Sequence, residues 1–288
     1  MSKTILITGS SSGIGRKAAF LFQQAGWNVA ATMRSPQKET ELNQLENVIC
    51  PALDVLDENS IQQAVTATVQ RFGTIDVVLN NAGYGLIGAF ETFSQEQIQR
   101  QFTTNVFGLM AVTRAVLPLM REKRSGTIIN VASFAGRSIF PVYSVYHASK
   151  WAVEGYSESL QYELNRYGIR VKIIEPGIVK TEFWGRSTDR ENVAGINAYA
   201  DYSQPVLDLI DKAAGIIATQ PEDVAHAIWQ AATDSSDKLR YVVGLDAKIT
   251  LAARRLLNER SYRALMNLTF NARSIAWFNS LAGRLKSS

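Results

Sequence analysis

The sequence has few of the residues that build disulfide bridges or metal centres. Cys50 is the only cysteine among 288 residues, and the two histidines are His147 and His226. One cysteine excludes a disulfide within the chain and is typical of proteins from a reducing compartment. Because cysteines and histidines are not clustered, the spacing of a zinc site is missing, and we predict no metal.

Long apolar runs and blocks of one charge are also scarce. Only Thr4–Ile7 separates Lys3 from a polar, glycine-containing turn, which is too short for a secretory signal. No stretch approaches the roughly 20 residues of a membrane span. The net charge of +4 is mild, and no Lys/Arg run is interleaved with aromatics, so we predict no nucleic-acid partner. We expect a cytoplasmic location.

Strand-like and helix-like segments alternate along most of the chain. Such alternation is typical of a parallel sheet with helices on both faces. We predict an α/β protein with a three-layer, doubly wound parallel sheet, that is, a Rossmann fold of about seven strands. The predicted strands are Thr4–Thr8, Asn28–Thr32, Val48–Leu53, Ile75–Asn80, Thr127–Ala132, Arg170–Glu175 and Arg240–Val243. The predicted helices are Gly13–Gln24, Ser60–Phe72, Ser94–Met120, Ser144–Tyr167, Pro205–Ile217 and Pro221–Thr233.

Residues 248–288 differ in charge from the rest of the chain. They contain eight Lys or Arg residues and one Glu, and eight minus one gives +7 against +4 for the whole chain. Their apolar residues recur at helical spacing. We predict one catalytic domain over residues 1–250 and a helical extension of that domain over residues 251–288. The extension would cover a pocket or contact another subunit, with a membrane-surface helix as the alternative.

A glycine-containing turn, Thr8-Gly9-Ser10-Ser11-Ser12-Gly13-Ile14-Gly15, joins the first predicted strand to the first helix. Glycines let the backbone approach phosphates closely, and a helix N-terminus offers unpaired N–H groups and a positive dipole end. We predict that this glycine loop binds the pyrophosphate of a dinucleotide, with an ordinary strand-to-helix turn as the alternative. The candidate ligands are Gly9, Ser11, Ser12, Gly13, Ile14 and Gly15.

The end of the second predicted strand has no acidic residue. A carboxylate about twenty residues after the glycines would accept the ribose hydroxyls of NAD, but this segment reads Ala31-Thr32-Met33-Arg34-Ser35. Arg34 can bind the 2′-phosphate of NADP through paired donors. We therefore predict NADP as the cofactor, with Arg16 as a weaker second ligand. The alternative for Arg34 is a solvated loop residue.

Ser133, Tyr146 and Lys150 suggest the chemistry. A Tyr one helical turn before a Lys shares its helix face, and Ser133 follows a predicted strand. Hydride transfer to a carbonyl needs a proton donor, and a nearby cation lowers the pKa of a phenol. We predict Tyr146 as the acid/base and Ser133 as a donor to the substrate oxygen. Lys150, together with the positive oxidised nicotinamide, would lower the pKa of Tyr146, and Lys150 would also hold the nicotinamide ribose, so that Tyr146 and Lys150 contact the cofactor.

The glycine loop, Asn80-Asn81-Ala82-Gly83, the Ser–Tyr–Lys set and Pro176-Gly177 together resemble the short-chain dehydrogenase/reductase family over residues 3–250. The segment around Tyr146 is most similar to the hydroxysteroid- and retinol-dehydrogenase-like subgroup. The resemblance implies an NADP(H)-dependent oxidoreductase such as a carbonyl reductase. Asn105 would then bend a helix and hold a water that leads to Lys150. The other implied cofactor contacts are Asp54 and Val55 at the adenine, Asn81, Ala82 and Gly83 at the adenosine ribose, and Pro176, Gly177, Ile178 and Thr181 at the nicotinamide carboxamide.

Apolar residues flank the predicted catalytic positions. They favour a lipophilic alcohol or carbonyl substrate, although core or subunit contacts explain each of them equally well. The candidate substrate-binding residues are Ser133, Phe140, Tyr143, Tyr146, Phe183 and Trp184.

Two other functions remain open. A sensor protein would bind NADP(H) without turnover, but the complete Ser–Tyr–Lys set argues against it. An epimerase or dehydratase would share Tyr-x-x-x-Lys, but such relatives carry a different glycine loop and a longer chain. The resemblance also implies a homodimer or homotetramer, since the helices Ser94–Met120 and Ser144–Tyr167 commonly form a four-helix interface in the family.

Overall fold

Seven parallel strands form the main sheet of the computed structural model, which describes residues 2–185 and 187–271. Two further short strands pair with each other in a separate sheet. The strands are β1 (Thr4–Ile7), β2 (Asn28–Ala31), β3 (Val48–Ile49), β4 (Val77–Asn80), β5 (Gly85–Leu86), β6 (Gly126–Val131), β7 (Ile169–Pro176), β8 (Thr188–Asp189) and β9 (Arg240–Val243).

The order of the main sheet is β3-β2-β1-β4-β6-β7-β9, and every neighbouring pair is parallel. The chain winds outwards from β1 through β2 to β3, and then in the other direction from β4 to β9. The strand order therefore reverses between β1 and β4, and ligands of such sheets bind at the carboxyl ends beside this point. The predicted seven-stranded Rossmann fold is confirmed.

Helices connect the strands and cover both faces of the sheet. A π-helical turn, Thr103–Gly108, joins two of them end to end. The α-helices of the described residues are α1 (Gly13–Gln24), α2 (Glu58–Phe72), α3 (Gln95–Phe102), α4 (Leu109–Lys123), α5 (Ser144–Leu164), α6 (Ala200–Ile217), α7 (Pro221–Thr233), α8 (Leu245–Leu256) and α9 (Glu259–Thr269).

The core lies in two layers, one on each side of the sheet. Successive side chains of a strand point to opposite faces, so Ile5 and Ile7 of β1 pack with α1 and α7, whereas Leu6 packs with α2, α4 and α5. All three of these β1 side chains are fully buried. This alternation between two covered faces produces the predicted three layers.

Two predicted boundaries were wrong by several residues. The strand predicted over Val48–Leu53 ends at Ile49, because Pro51 has no N–H for the ladder, and an isolated bridge between Met33 and Ala52 follows. The helix predicted from Pro205 begins instead at Ala200. Its first turn forms ahead of the proline, where the N–H groups of residues 202 and 203 donate to the carbonyl of residue 199 at 3.1 and 2.8 Å.

The helical segment Gln95–Lys123 was predicted as one helix from Ser94 to Met120. It is continuous, but the π-helical turn divides it into α3 and α4. Its length and composition alone would allow it to cross a membrane, which the sequence analysis did not anticipate. In this fold it is a core helix, since Val112, Val116 and Met120 are fully buried against the sheet.

Within the predicted extension the chain is mostly helical as far as it is described, but α8 begins at Leu245 and so crosses the predicted boundary at residue 250. Residues 272–288 lie outside the described residues, and the division into a domain and an extension stays a prediction. Tyr262 of α9 is fully buried. Its hydroxyl donates to the Ile139 carbonyl at 3.4 Å, and the Arg254 guanidinium lies 4.7 Å from its ring centre. The described part of the extension therefore packs onto the main domain.

Candidate active site

A cleft of about 1000 Å³ opens at the carboxyl ends of the strands. Its lining runs from the glycine loop to α9 and contains most of the predicted site residues. Gly15 and Asn105 do not line it, and the side chain of Trp184 lies outside the described part of the chain. The predicted residues that line the cleft are Gly9, Ser11, Ser12, Gly13, Ile14, Arg34, Asp54, Val55, Asn81, Ala82, Gly83, Ser133, Phe140, Tyr143, Tyr146, Lys150, Pro176, Gly177, Ile178, Thr181 and Phe183.

The glycine loop has the geometry of an anion site. Gly9 and Gly13 have positive φ angles of 73° and 56°, and a Cβ on Gly15 would lie 2.5 Å from the Gly9 carbonyl oxygen. These positions therefore require glycine. The side chain of Ser12, at the N-cap of α1, makes no capping hydrogen bond. The first N–H groups of the helix are thus left without a side-chain cap, which fits a pyrophosphate.

The segment after β4 supports this loop. The Asn81 amide Nδ2 donates to the carbonyls of Thr8 and Gly9 at 2.9 and 3.2 Å. In return, the Thr8 hydroxyl accepts the N–H groups of Asn81 and Ala82, each at 3.0 Å. Asn81 therefore holds the glycine loop in place as well as lining the cleft.

The two candidate phosphate ligands differ in their surroundings. Arg34 is exposed at the cleft, with no hydrogen bond or ion pair to the described residues. Arg16 forms ion pairs with Glu39 and Glu41. Burial alone would raise the pKa of Glu39, but hydrogen bonds from Arg16 and from the Leu42 and Glu41 amides outweigh it and lower that pKa to about 2. The positive charge of Arg16 is therefore already paired with two carboxylates, and Arg34 is better placed to bind a phosphate.

The three predicted catalytic residues are adjacent. Ser133 follows β6, and Tyr146 and Lys150 lie one turn apart on α5, so all three line the same wall. The Ser133 hydroxyl is hydrogen-bonded to Tyr146 and accepts the Ala135 N–H at 3.2 Å. The Lys150 Nζ donates to the Val131 carbonyl at 2.9 Å and lies 5.9 Å from the centre of the Tyr146 ring.

Burial shifts Tyr146 and Lys150 toward their neutral forms. It raises the pKa of Tyr146 to about 12, against the opposing effect of the Ser133 hydrogen bond. It also lowers the pKa of Lys150 to about 8, against the attraction of Glu154. Desolvation outweighs the Ser133 hydrogen bond, and the lowered tyrosine pKa, which we expect with a positive nicotinamide beside Tyr146, stays a prediction. Tyr146 is protonated at neutral pH, as a proton donor must be.

Asn105 lies in the π-helical turn and is buried. Its Oδ1 accepts the Tyr84 N–H at 3.0 Å, and its Nδ2 donates to the Tyr84 carbonyl at 2.8 Å and to the Ser149 hydroxyl at 3.4 Å. A π-helical turn widens the helix locally and is frequent at functional sites. The expected irregularity at Asn105 is present, and its water-binding role stays a prediction.

A residue that the sequence analysis missed lies at the predicted carboxamide site. The Ile178 N–H, which we expected to face the nicotinamide, donates to the Asp246 carboxylate at 2.7 Å. The Gly177 N–H donates to the Val243 carbonyl at 2.8 Å, which brings the end of β9 and the start of α8 beside β7. Asp246 lines the cleft as well. No motif marks it, because its position depends on how the last strand joins the sheet.

The far end of the cleft is apolar. Phe140, Tyr143 and Phe183 belong to one cluster with residues of α6, and the Phe183 ring centre lies 5.9 Å from that of Tyr146. Helix α6 of the main domain and helix α9 complete this wall. The sequence analysis missed their residues because an amphipathic helix does not reveal which partner its apolar face meets. The wall residues concerned are Leu209, Ile210, Met266 and Phe270.

His147 has a packing role. Its ring is buried, with Nδ1 2.7 Å from the Ala135 carbonyl and Nε2 accepting the Phe140 N–H at 3.1 Å. Burial lowers the pKa of this imidazole. Within residues 2–185 and 187–271, no three His, Cys, Asp or Glu side chains are grouped so that they could hold a metal ion.

Known proteins share this architecture. A family profile described as short chain dehydrogenase matches residues 3–192. A 3-ketodihydrosphingosine reductase of Bacteroides thetaiotaomicron is 38% identical over 72% of this chain and 76% of its own length. A short-chain dehydrogenase from Streptomyces avermitilis has a TM-score of 0.80 and 33% identity, over 93% of this chain and 97% of its own. The structure of ElxO with NADP bound has a TM-score of 0.69 and 27% identity, over 84% of this chain and 98% of its own.

Proposed function

The chain belongs to the short-chain dehydrogenase family, and we propose that it is an NADP(H)-dependent oxidoreductase acting on a lipophilic alcohol or carbonyl compound. The observation that carries the proposal is the adjacency of Ser133, Tyr146 and Lys150 in the same cleft as the glycine loop. One cleft thus offers a pyrophosphate site at one end and a proton donor at the other.

The mechanism follows from the protonation states. A bound nicotinamide supplies the hydride in reduction and accepts it in oxidation. Tyr146 donates its hydroxyl proton to the carbonyl oxygen, and the Ser133 hydroxyl donates a hydrogen bond to the same oxygen as negative charge develops. Lys150, with its pKa of about 8, is mostly protonated at pH 7 and stabilises the tyrosinate that remains.

The preference for NADP over NAD is proposed from Arg34. Its exposed guanidinium lies at the cleft without a competing carboxylate partner among the described residues. Met33, which occupies the position where an acidic residue would select NAD, is buried. ElxO, whose structure has NADP bound, supports the same choice.

The lipophilic substrate is proposed from the apolar end of the cleft. The lining there includes the aromatic side chains of Phe140, Tyr143 and Phe183 and aliphatic side chains of α6. Such a site favours a substrate with one reacting oxygen and a sizeable hydrocarbon part. The 3-ketodihydrosphingosine reductase relative fits this class. The narrower hydroxysteroid or retinol subgroup stays a prediction.

The test is oxidation of NADPH and of NADH with a series of hydrophobic ketones and aldehydes. Turnover with NADPH should disappear in Tyr146→Phe and persist in Tyr162→Phe, whose ring is exposed on the same helix. If Tyr146→Phe retains wild-type turnover, the proposed proton donor is wrong. Tight NADPH binding with no turnover on any compound would favour the sensor function, against which the intact catalytic set argues.

We also propose a homodimer or homotetramer built on the two long helical segments. Large apolar side chains are exposed on them, with Phe107 58%, Trp151 44% and Tyr162 74% accessible. Burying such side chains against a second copy would remove them from water. Light scattering coupled to gel filtration should give two or four times the chain mass of 31.8 kDa, and a monomer would contradict this proposal.

A cytoplasmic protein with peripheral membrane contact is the remaining proposal. Leu245, Ile249 and Leu256 recur along one face of α8 and are exposed, and basic residues follow in the same region. An apolar face with cations beside it fits an anionic lipid surface. Full-length protein should co-sediment with anionic liposomes at low salt, and protein that stays in the supernatant would refute the contact.

A further inference from the structure

Two carboxylates, Glu154 of α5 and Glu175 of β7, are buried together, with 4% and 0% of their surface exposed. The Arg240 guanidinium, from β9, contacts both, with its Nε 3.0 Å from Glu154 Oε2 and 3.3 Å from Glu175 Oε1. Arg137, four residues after Ser133, donates from its Nε to Glu175 Oε1 at 2.6 Å and pairs with the other oxygen as well. These four charged side chains form an ion cluster that joins α5, β7 and β9 to the turn after Ser133.

Glu154 has fewer cationic partners than the other carboxylate of this ion cluster. Glu175 contacts both Arg137 and Arg240, whereas Glu154 shares Arg240 with a third carboxylate, Glu158, which lies 2.6 Å from that guanidinium. The Oε1 of Glu154 is buried and accepts no hydrogen bond from any described residue. Two guanidiniums thus serve three carboxylates, which leaves Glu154 able to attract a further cation.

Lys150 is such a cation. It lies one turn before Glu154 on the same face of α5, and it is buried as well. Both residues pack against Gly136, where an added Cβ would lie 2.8 Å from Glu154 Cγ and 2.9 Å from the Lys150 carbonyl oxygen. Opposite charges attract strongly at such a site, because burial removes the water that would screen them. The charge of Glu154 accordingly raises the pKa of Lys150, against the effect of burial.

We propose that Glu154 is a positioning residue for catalysis, which acts through Lys150 by keeping its ammonium protonated as the pH rises. A carboxyl group ordinarily ionises near pH ~4 and a lysine near pH ~10. Burial and the adjacent Glu175 raise the pKa of Glu154, so that Glu154 and Lys150 titrate together. The first proton is lost from Glu154, because the carboxylate that forms is attracted to the remaining ammonium. Lys150 is then still charged where an isolated buried lysine would be neutral.

The consequence is activity that persists to higher pH. The Lys150 ammonium stabilises the tyrosinate that Tyr146 becomes, so the rate falls when Lys150 loses its proton. Glu154 does not line the cleft, and its effect on the reaction passes through Lys150 alone. The inference rests on the proposed function, because only there does the charge of Lys150 matter to the rate.

The direct test is the pKa of Lys150, measured by NMR on the full chain with isotope-labelled lysine and without cofactor. The Lys150 signal is identified by its absence in Lys150→Met. Glu154→Gln should lower the pKa of Lys150 by about 1, as expected for the loss of one nearby charge. Glu154→Asp, which keeps the charge, should restore most of the wild-type value.

Glu158→Gln is the matched control. Glu158 lies one turn after Glu154 on α5 and pairs with the same Arg240, but its side chain is 54% exposed. Its removal should leave the pKa of Lys150 unchanged, since solvent and salt screen an exposed charge. An equal pKa in the wild type and Glu154→Gln would overturn the proposal. An equal fall in both variants would also overturn it, because loss of any Arg240 contact would then suffice.

The pH profile of kcat for NADPH-dependent ketone reduction tests the link to catalysis. The alkaline limb of Glu154→Gln should lie about 1 pH unit below that of the wild type, and the limb of Glu158→Gln should coincide with it. A lower kcat with an unshifted limb would show a merely structural role and refute the proposal. A wild type that reduces no carbonyl compound would refute the proposed function, whereas the titration of Lys150 would still decide whether Glu154 controls its charge.

Discussion

Lys150→Met should stabilise the protein at neutral pH. Lys150 is only 8% exposed, and burial lowers its pKa from 10.5 to about 8. At about 1.36 kcal/mol per pKa unit, the protonated lysine therefore destabilises the folded state at pH 7 by about 3 kcal/mol. Methionine removes that charge but leaves the Val131 carbonyl without its donor, which costs about 1 kcal/mol. The expected net gain in the free energy of unfolding is about 2 kcal/mol.

The stability difference between Lys150→Met and the wild type should depend on pH. Because the folded-state pKa is below the unfolded one, the unfolded chain binds more protons between pH 8 and 10.5, and the wild type gains stability across that window. Lys150→Met has no such gain. The advantage of the variant should therefore shrink by about 2 kcal/mol between pH 7 and about pH 9.5.

The assay is urea unfolding of both proteins across this pH range, followed by circular dichroism. Lys17→Met, which removes an exposed lysine from α1, should change the free energy of unfolding by no more than about 0.5 kcal/mol at any pH. A Lys150→Met variant less stable than the wild type at pH 7, or one whose difference does not vary with pH, would refute the reasoning. It would show that water or a neighbouring anion already compensates the buried ammonium.

Three further predictions concern Arg34, Gly15 and Glu154. Arg34→Ala should weaken NADPH binding roughly tenfold while leaving NADH binding nearly unchanged, by calorimetry, and equal losses for both would contradict the proposed phosphate contact. Gly15→Ala should abolish dinucleotide binding, measured the same way, because its Cβ would meet the Gly9 carbonyl oxygen at 2.5 Å. Glu154→Gln should lose less stability than the wild type as the pH rises above 4.5 toward 8, measured by urea unfolding. Burial and the neighbouring Glu175 raise the pKa of Glu154, so the wild type loses stability as this group ionises, and matching pH profiles would argue against that shift.

Short sequence patterns predicted the features whose geometry depends only on neighbouring residues. The glycine loop is recognisable because Gly9 and Gly13 need positive φ angles and Gly15 has no room for a side chain. The spacing of Tyr146 and Lys150 places them on one helix face whatever else surrounds them. Both features can be read from a few neighbouring residues, and the structure brings them into one cleft.

The features that the sequence analysis missed depend on contacts between distant segments. Asp246 meets Ile178, 68 residues earlier, only because β9 pairs with β7 in one particular register. Arg16 resembles a phosphate ligand in the sequence, but the fold places Glu39 against it. The pKa of Tyr146 depends on desolvation by the whole site, which the nearby lysine alone does not indicate.

The residues that line the cleft come from segments throughout the chain, and this affects how the protein can fold while it is synthesised. The cleft is lined by residues from Gly9, near the N-terminus, to Phe270. Almost the whole described chain must therefore leave the ribosome before the cleft can close. Strands β1 to β4 can pair much earlier, but the apolar end of the cleft, which includes Tyr143, Ile210 and Phe270, cannot form until these later residues have been synthesised. The cofactor therefore cannot guide the early stages of folding. It can stabilise only a nearly finished molecule.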